Sequence, residues 1–67
     1  MTNSVKLKMI IEASGLKKTY IADRLGLSYQ GYLKKENGTN QFVSSEIKTM
    51  KDLLHLSDKE VTQIFLS

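Results

Sequence analysis

The 67-residue chain has no proline, and its strong helix-stopping signals fall at Gly15, Gly26, Gly38 and the Leu56-Ser57 junction. Glycine ends a helix at a left-handed residue, so this punctuation leaves five short helical segments and little room for other structure. The first, about Ser4 to Ser14, sets Leu7, Ile10 and Ile11 at helical spacing and turns Lys6, Lys8 and Glu12 outward. The second, about Lys18 to Leu25, buries Ile21, Ala22 and Leu25 and stops at Gly26. Its entry is weakly capped, because Lys17 stands where Ser, Thr or Asp would satisfy the free amides. The third runs from a Ser28 cap to about Glu36 and closes on Asn37-Gly38. After a polar loop from Thr39 to Val43, the fourth starts at Ser44 or Ser45 and aligns Ile47, Met50, Leu53 and Leu54 on one stripe, with Lys48, Lys51 and Asp52 outside. The fifth opens on the capping box Ser57-Asp58-Lys59-Glu60 and turns Val61, Ile64 and Phe65 inward. No segment alternates like a strand and none repeats another. A single all-α domain over residues 1–67 is expected.

So short a chain builds only a minimal core, which argues against a substrate cavity and a small-molecule substrate. With no Cys and one His it has no disulfide or zinc staple, and no metal or cofactor is expected. Apolar runs such as Met9-Ile10-Ile11 are far too short for a membrane span or a signal peptide, so a cytoplasmic protein is expected. Catalysis has no support. Ser14-x-x-Lys17 and Ser45-x-x-Lys48 match a serine-lysine pattern without its companion motifs. The lone His55 sits near a helix C-terminus, where it favours the dipole.

The net charge of +3 is modest but unevenly placed. Between Leu16 and Gln41, the cations Lys17, Lys18, Arg24, Lys34 and Lys35 face only Asp23 and Glu36. Elsewhere Lys6, Lys8, Lys48, Lys51 and Lys59 are balanced by Glu12, Glu46, Asp52, Asp58 and Glu60. The excess is either a solvated lysine face or an attraction for a polyanion, and its coincidence with the second and third segments favours the latter.

Those two segments lie within the run from Lys18 to Asn37, KTYIADRLGLSYQGYLKKEN, in which small Ala22 precedes Gly26 by four residues. The spacing is read as two short helices crossing at close range, an arrangement used to read the DNA major groove. The pieces Gly15-Leu16, Ala22, Leu25-Gly26-Leu27-Ser28 and Glu36-Asn37-Gly38 together resemble the helix-turn-helix of the Cro and C1-type, phage repressor-like regulators. The resemblance extends over nearly the whole chain, since a five-helix, lambda-repressor-like domain of about this length is that family's DNA-binding unit. It implies a transcription regulator binding an operator in double-stranded DNA, as a homodimer on a two-fold site, and a phage or prophage setting.

The chain departs from the family pattern at two places. Lys17-Lys18 replaces the polar pair that opens the bracing helix, so Lys18 is expected to contact a phosphate. Tyr32 and Lys35 stand where two aliphatics are usual, and Lys35 is expected to lay its stem on the core and push its ammonium out to a phosphate. Two registers for the third helix remain. The family's register buries Tyr32 and points Tyr29, Gln30, Leu33 and Lys34 at the groove. Hydrophobicity alone buries Tyr29, Tyr32 and Leu33 and exposes Gln30, Lys34 and Asn37. Both expose Gln30, suited to adenine, and Lys34, suited to guanine. Tyr29 is open to a phosphate, a thymine methyl or a structural role, and Leu33 to a thymine methyl. Ser28, Asn37, Thr39, Asn40 and Gln41 are expected at the sugar-phosphate backbone through amides and short side chains. Gly31, costing roughly 1 kcal/mol against Ala in a helix, implies a close approach by a neighbouring backbone or by DNA.

Phe65-Leu66 or Phe42-Val43 would serve as a dimer patch, with core packing the simpler role for each. Two other functions fit the same fold. A protein-interaction module, antirepressor-like or antitoxin-like, would show a tight protein complex and little DNA affinity. A nonspecific binder would treat all duplexes alike, although +3 is small for charge-driven binding.

Overall fold

A computed structural model describes residues 2–66 of the protein. Five helices follow one another: α1 (Ser4–Ser14), α2 (Lys18–Arg24), α3 (Tyr29–Glu36), α4 (Ser44–Leu54) and α5 (Asp58–Phe65), and no strand occurs among the described residues. The boundaries follow from local chemistry. Gly15, Gly26 and Gly38 all adopt positive φ, and at Gly26 and Gly38 the next amides bond back in the same way. The Gly26 and Leu27 amides donate to the Asp23 and Ala22 carbonyls, and those of Gly38 and Thr39 to the Lys35 and Lys34 carbonyls. Each pair is a Schellman closure, which satisfies carbonyls that the helix end would otherwise leave open. A Cβ on Gly26 would meet no atom within 4 Å. This corrects the close-crossing reading at that residue: Gly26 is required by its φ of 72°, while Ala22 is buried in the core.

Helix entries differ in quality. The Ser57 hydroxyl accepts from the Glu60 amide and the Glu60 carboxylate from the Ser57 amide, which completes the expected box. Ser28 caps α3 by accepting from the Gly31 amide, whereas Lys17 provides no side-chain cap for α2. α4 begins after Val43, whose side chain has no acceptor. There the Glu46 carboxylate reaches back to the Val43 amide at 3.0 Å. His55 ends α4 at φ 54°, in the left-handed region that glycine occupies at the other ends.

The core gathers Leu7 and Ile11 of α1, Ile21 and Ala22 of α2, Tyr32 of α3, Met50 and Leu54 of α4, Leu56, and Ile64 and Phe65 of α5. Phe42, in the loop before α4, stacks edge-to-face on Tyr32 and on Phe65, with ring centroids 6.3 and 5.3 Å away. Both phenylalanines are therefore core residues and not dimer contacts, and only their neighbours Val43 and Leu66 are exposed. Among the described residues no helix is long and apolar enough to cross a membrane, and no group of His, Cys, Asp or Glu could hold a metal ion.

Candidate nucleic-acid interface

α3 carries all four residues expected to contact bases, Tyr29, Gln30, Leu33 and Lys34, and its orientation is fixed by what it buries. Tyr32 is fully buried and Leu33 is half-buried against the core, while Tyr29, Gln30 and Lys34 are exposed, Tyr29 by 45%. Neither proposed register holds throughout. Tyr29 faces outward as in the family's register, and Leu33 leans inward as hydrophobicity demands. Leu33 is thus chiefly a packing residue, and the outward face of α3 consists of Tyr29, Gln30 and Lys34.

The far end of α3 is strapped to its neighbours by charge. Glu36 is buried, with one carboxylate oxygen 2.9 Å from Lys18 Nζ and the other accepting from the Tyr32 hydroxyl at 2.8 Å. Every strong acceptor in this group has a partner, which is what makes burial of a carboxylate tolerable. Burial, followed by the hydrogen bond to Glu36, pushes the Tyr32 phenol well above its ordinary 10.0. The next residue back, Lys35, places Nζ at 2.6 and 2.8 Å from the two carboxylate oxygens of Glu46. Glu46 simultaneously caps α4, so one carboxylate ties α3 to the start of α4.

These pairs correct two expectations. The ammonium of Lys35 turns to Glu46 of α4 and its side chain is only 16% exposed, so it is not presented to a phosphate. Lys18 is 38% exposed, yet its charge is held by Glu36. A phosphate contact there would take the cation from a buried carboxylate, at a cost typical of an unpaired buried charge.

The loop after α3 is corrected in part. The amides of Asn37, Gly38, Thr39 and Asn40 donate to the carbonyls of Leu33, Lys35, Lys34 and Lys34, respectively. Closing the helix consumes them, so no backbone amide from 37 to 40 remains for a phosphate. The side chains of Asn37, Thr39, Asn40 and Gln41 are exposed. Ser28 is exposed and uses its oxygen as the cap acceptor, which leaves its hydroxyl proton available. Gly31 has a local explanation: a Cβ there would come within 3.0 Å of Ser28 Oγ and press on the cap.

Removing the paired charges redraws the electrostatic footprint. In the helix pair and its flanks, Lys17, Arg24 and Lys34 stay exposed and outside any ion pair among the described residues, against Asp23. Lys17, Tyr20 and Arg24 recur at intervals of three and four, which places them on one outward stripe opposite buried Ile21 and Ala22. No contact had been expected of Tyr20 or Arg24, although the spacing that aligns them was legible. The serine of Ser14-x-x-Lys17 is occupied at a helix end, donating to the Ile11 carbonyl and accepting from the Leu16 amide. Compared with protein-family models, curated proteins and solved structures, the chain matches none of them.

Proposed function

We propose that this protein is a sequence-specific, DNA-binding transcription regulator of the Cro or repressor type, with α3 as the helix that enters the major groove. The observation that carries the reading is the division of α3. Its inner side and C-terminal end are locked by Tyr32, Lys35 and Glu36, while Tyr29, Gln30 and Lys34 form a clear outward face on the second helix of a glycine-turned pair. A recognition helix needs this combination, because side chains discriminate bases only when the helix beneath them is fixed.

In this reading Gln30 pairs with adenine and Lys34 with guanine, and Tyr29 packs on a thymine methyl or a phosphate. Lys17, Arg24, the Ser28 hydroxyl and the polar side chains of the 37–41 loop serve the sugar-phosphate backbone, fixing register without reading sequence. So few contacts bind weakly alone, so two copies would occupy half-sites whose centres lie about 34 Å apart.

Fluorescence anisotropy tests this with a duplex selected from a random library by the wild-type protein, and with its scrambled version, at two salt concentrations. Preference for the selected duplex supports the reading. Equal affinity for both removes sequence specificity, and absence of binding at about 50 mM salt removes nucleic acid as the ligand. A protein-interaction module remains the second reading, favoured by the exposed apolar residues Val5 and Met9 on α1. It predicts a stable protein complex and little affinity for either duplex.

A further inference from the structure

The exit of α3 combines an open side chain with a closed backbone. Asn37 is exposed, yet both of its neighbours are held. Glu36 is buried and bonded to Lys18 and Tyr32, and Gly38 stands at φ 85° with its amide 3.1 Å from the Lys35 carbonyl. The pair matters chemically. An asparagine side-chain carbonyl carbon is open to attack by the amide nitrogen of the next residue, and glycine obstructs that attack least, because it has no side chain and turns freely. Asn37-Gly38 is the one such pair in the sequence, since Asn3 and Asn40 precede Ser4 and Gln41.

We infer that Asn37-Gly38 is a self-modification site, at which Asn37 converts to aspartate and isoaspartate when the last turn of α3 opens. The Gly38 nitrogen gives its proton to solvent and bonds to Asn37 Cγ. The Cγ–Nδ2 bond breaks, and that nitrogen takes a proton from water and leaves as ammonia. Water then opens the cyclic imide, with no change of oxidation state. Attack at Cγ leaves aspartate, and attack at the main-chain carbonyl leaves isoaspartate, with the main chain now running through Cγ.

The closed turn withholds the first step. Asn37 has φ −78° and ψ −5°, a helical setting in which the Gly38 nitrogen is rotated away from Cβ and so from Cγ. The Thr39 amide, bonded to the Lys34 carbonyl at 2.9 Å, holds the same setting from beyond the glycine. Opening breaks both bonds and pulls on the Glu36 pairing one residue back, so the folded chain reacts at the unfolded rate multiplied by the fraction of time the turn is open. Either product puts a carboxylate three residues from exposed Lys34, within pairing range on a helix. Isoaspartate also lengthens the main chain by a methylene, which takes the Gly38 and Thr39 amides out of register with their carbonyls. If α3 reads DNA, the result is a one-way loss of affinity. The chemistry itself requires no DNA, so its failure and that of the regulator reading are separate results.

The test ages the whole chain in warm, mildly alkaline buffer and follows each asparagine by peptide mass spectrometry, with isoaspartate detected by enzymatic methylation. Asn37 should be lost first, to both products, and several-fold faster in urea than in the folded chain. The ratio of those two rates should match the protection of the Gly38 amide against hydrogen exchange. Asn37→Gln, whose longer side chain closes a ring far less readily, should stop the reaction. Glu36→Gln, which loses the charge that holds Lys18, should speed it several-fold in the folded chain. Ile64→Val, a loss of packing in α5 away from this turn, should leave it nearly unchanged. Asn3 or Asn40 reacting as fast as Asn37 would overturn the inference, as would equal rates in the folded chain and in urea. So would a rate ratio far from the measured protection, or a Glu36→Gln chain that ages no faster than Ile64→Val.

Discussion

The two ends of α3 are built on opposite principles. At its start, Tyr29 and Gln30 stand exposed on a helix fastened locally by the Ser28 cap. At its end, Lys35 and Glu36 are drawn into ion pairs with α4 and α2, and Glu36 also holds the Tyr32 hydroxyl. Lys34 lies within that last turn but remains exposed, one residue from a lysine that is almost entirely enclosed. Adjacent residues of the same type thus have different jobs, and counting charges along the chain assigns them the same one. The contrast separates substitutions that should affect stability from those that should affect binding.

The largest effect should come from Glu36→Ala. It strands the Tyr32 hydroxyl and the Lys18 ammonium, and about 2–4 kcal/mol of stability should be lost in urea or thermal unfolding. In a domain of this size that is a large fraction of the total stability. Replacing the network as a unit, by Lys18→Met, Tyr32→Phe and Glu36→Leu together, should recover most of the loss, because no buried polar group is then left without a partner. If the triple variant is no more stable than Glu36→Ala, packing and not pairing holds this end of α3.

Lys35→Ala should cost about 1–2 kcal/mol, since Glu46 keeps its bond to the Val43 amide while losing its cation. The folded variant should bind any ligand of α3 with nearly wild-type affinity. A large loss of binding in the folded state would mean that Lys35 leaves Glu46 to meet the ligand.

Alkaline titration addresses the same end of the helix. The Tyr32 phenol is held protonated in the folded chain well above 10.0, first by burial and then by Glu36. Its contribution to stability is fully present below the unfolded-state pKa of about 10, and is lost as pH rises beyond that, where only the unfolded chain ionises. Tyr32→Phe should be about 1 kcal/mol less stable at neutral pH, because Glu36 loses a donor. Its stability should also fall less steeply above pH 10. Equal slopes for the two proteins would show that the phenol does not carry the alkaline loss.

The smallest effect belongs at the open end. Gly31→Ala adds helix propensity of roughly 1 kcal/mol, but its Cβ presses on Ser28 Oγ, whose cap contributes a similar amount. The net change should lie within about 0.5 kcal/mol of zero. In a Ser28→Ala background, where the cap is already gone, the same substitution should stabilise. Destabilisation in both backgrounds would mean that something other than the cap excludes a side chain at that position.

The helices were legible because their limits are local. Glycines at positive φ, Ser28 and the Ser57-Glu60 box each act within four residues, so a linear reading finds them. Lys18–Glu36 and Lys35–Glu46 join residues 18 and 11 positions apart, and only the packing of α2 and α4 around α3 brings them together. The burial of Phe65 follows from its place on the inward stripe of the fifth segment, whereas its edge-to-face contact with Phe42, 23 positions away, arises only through the fold. Of the candidate site, Gln30 and Lys34 were legible because any helix that buries Tyr32 turns them outward. Leu33, which borders both faces, was not.

The central claim is that the outward face of α3 reads base sequence while its paired end only holds the helix. Anisotropy of Gln30→Ala and Lys34→Ala against the selected and scrambled duplexes, with unfolding measured in parallel, tests it most directly. Each variant should keep wild-type stability within about 0.5 kcal/mol. Each should also lose about 1–3 kcal/mol of discrimination between the duplexes. Equal weakening on both duplexes, or unchanged discrimination in a fully folded variant, would contradict it.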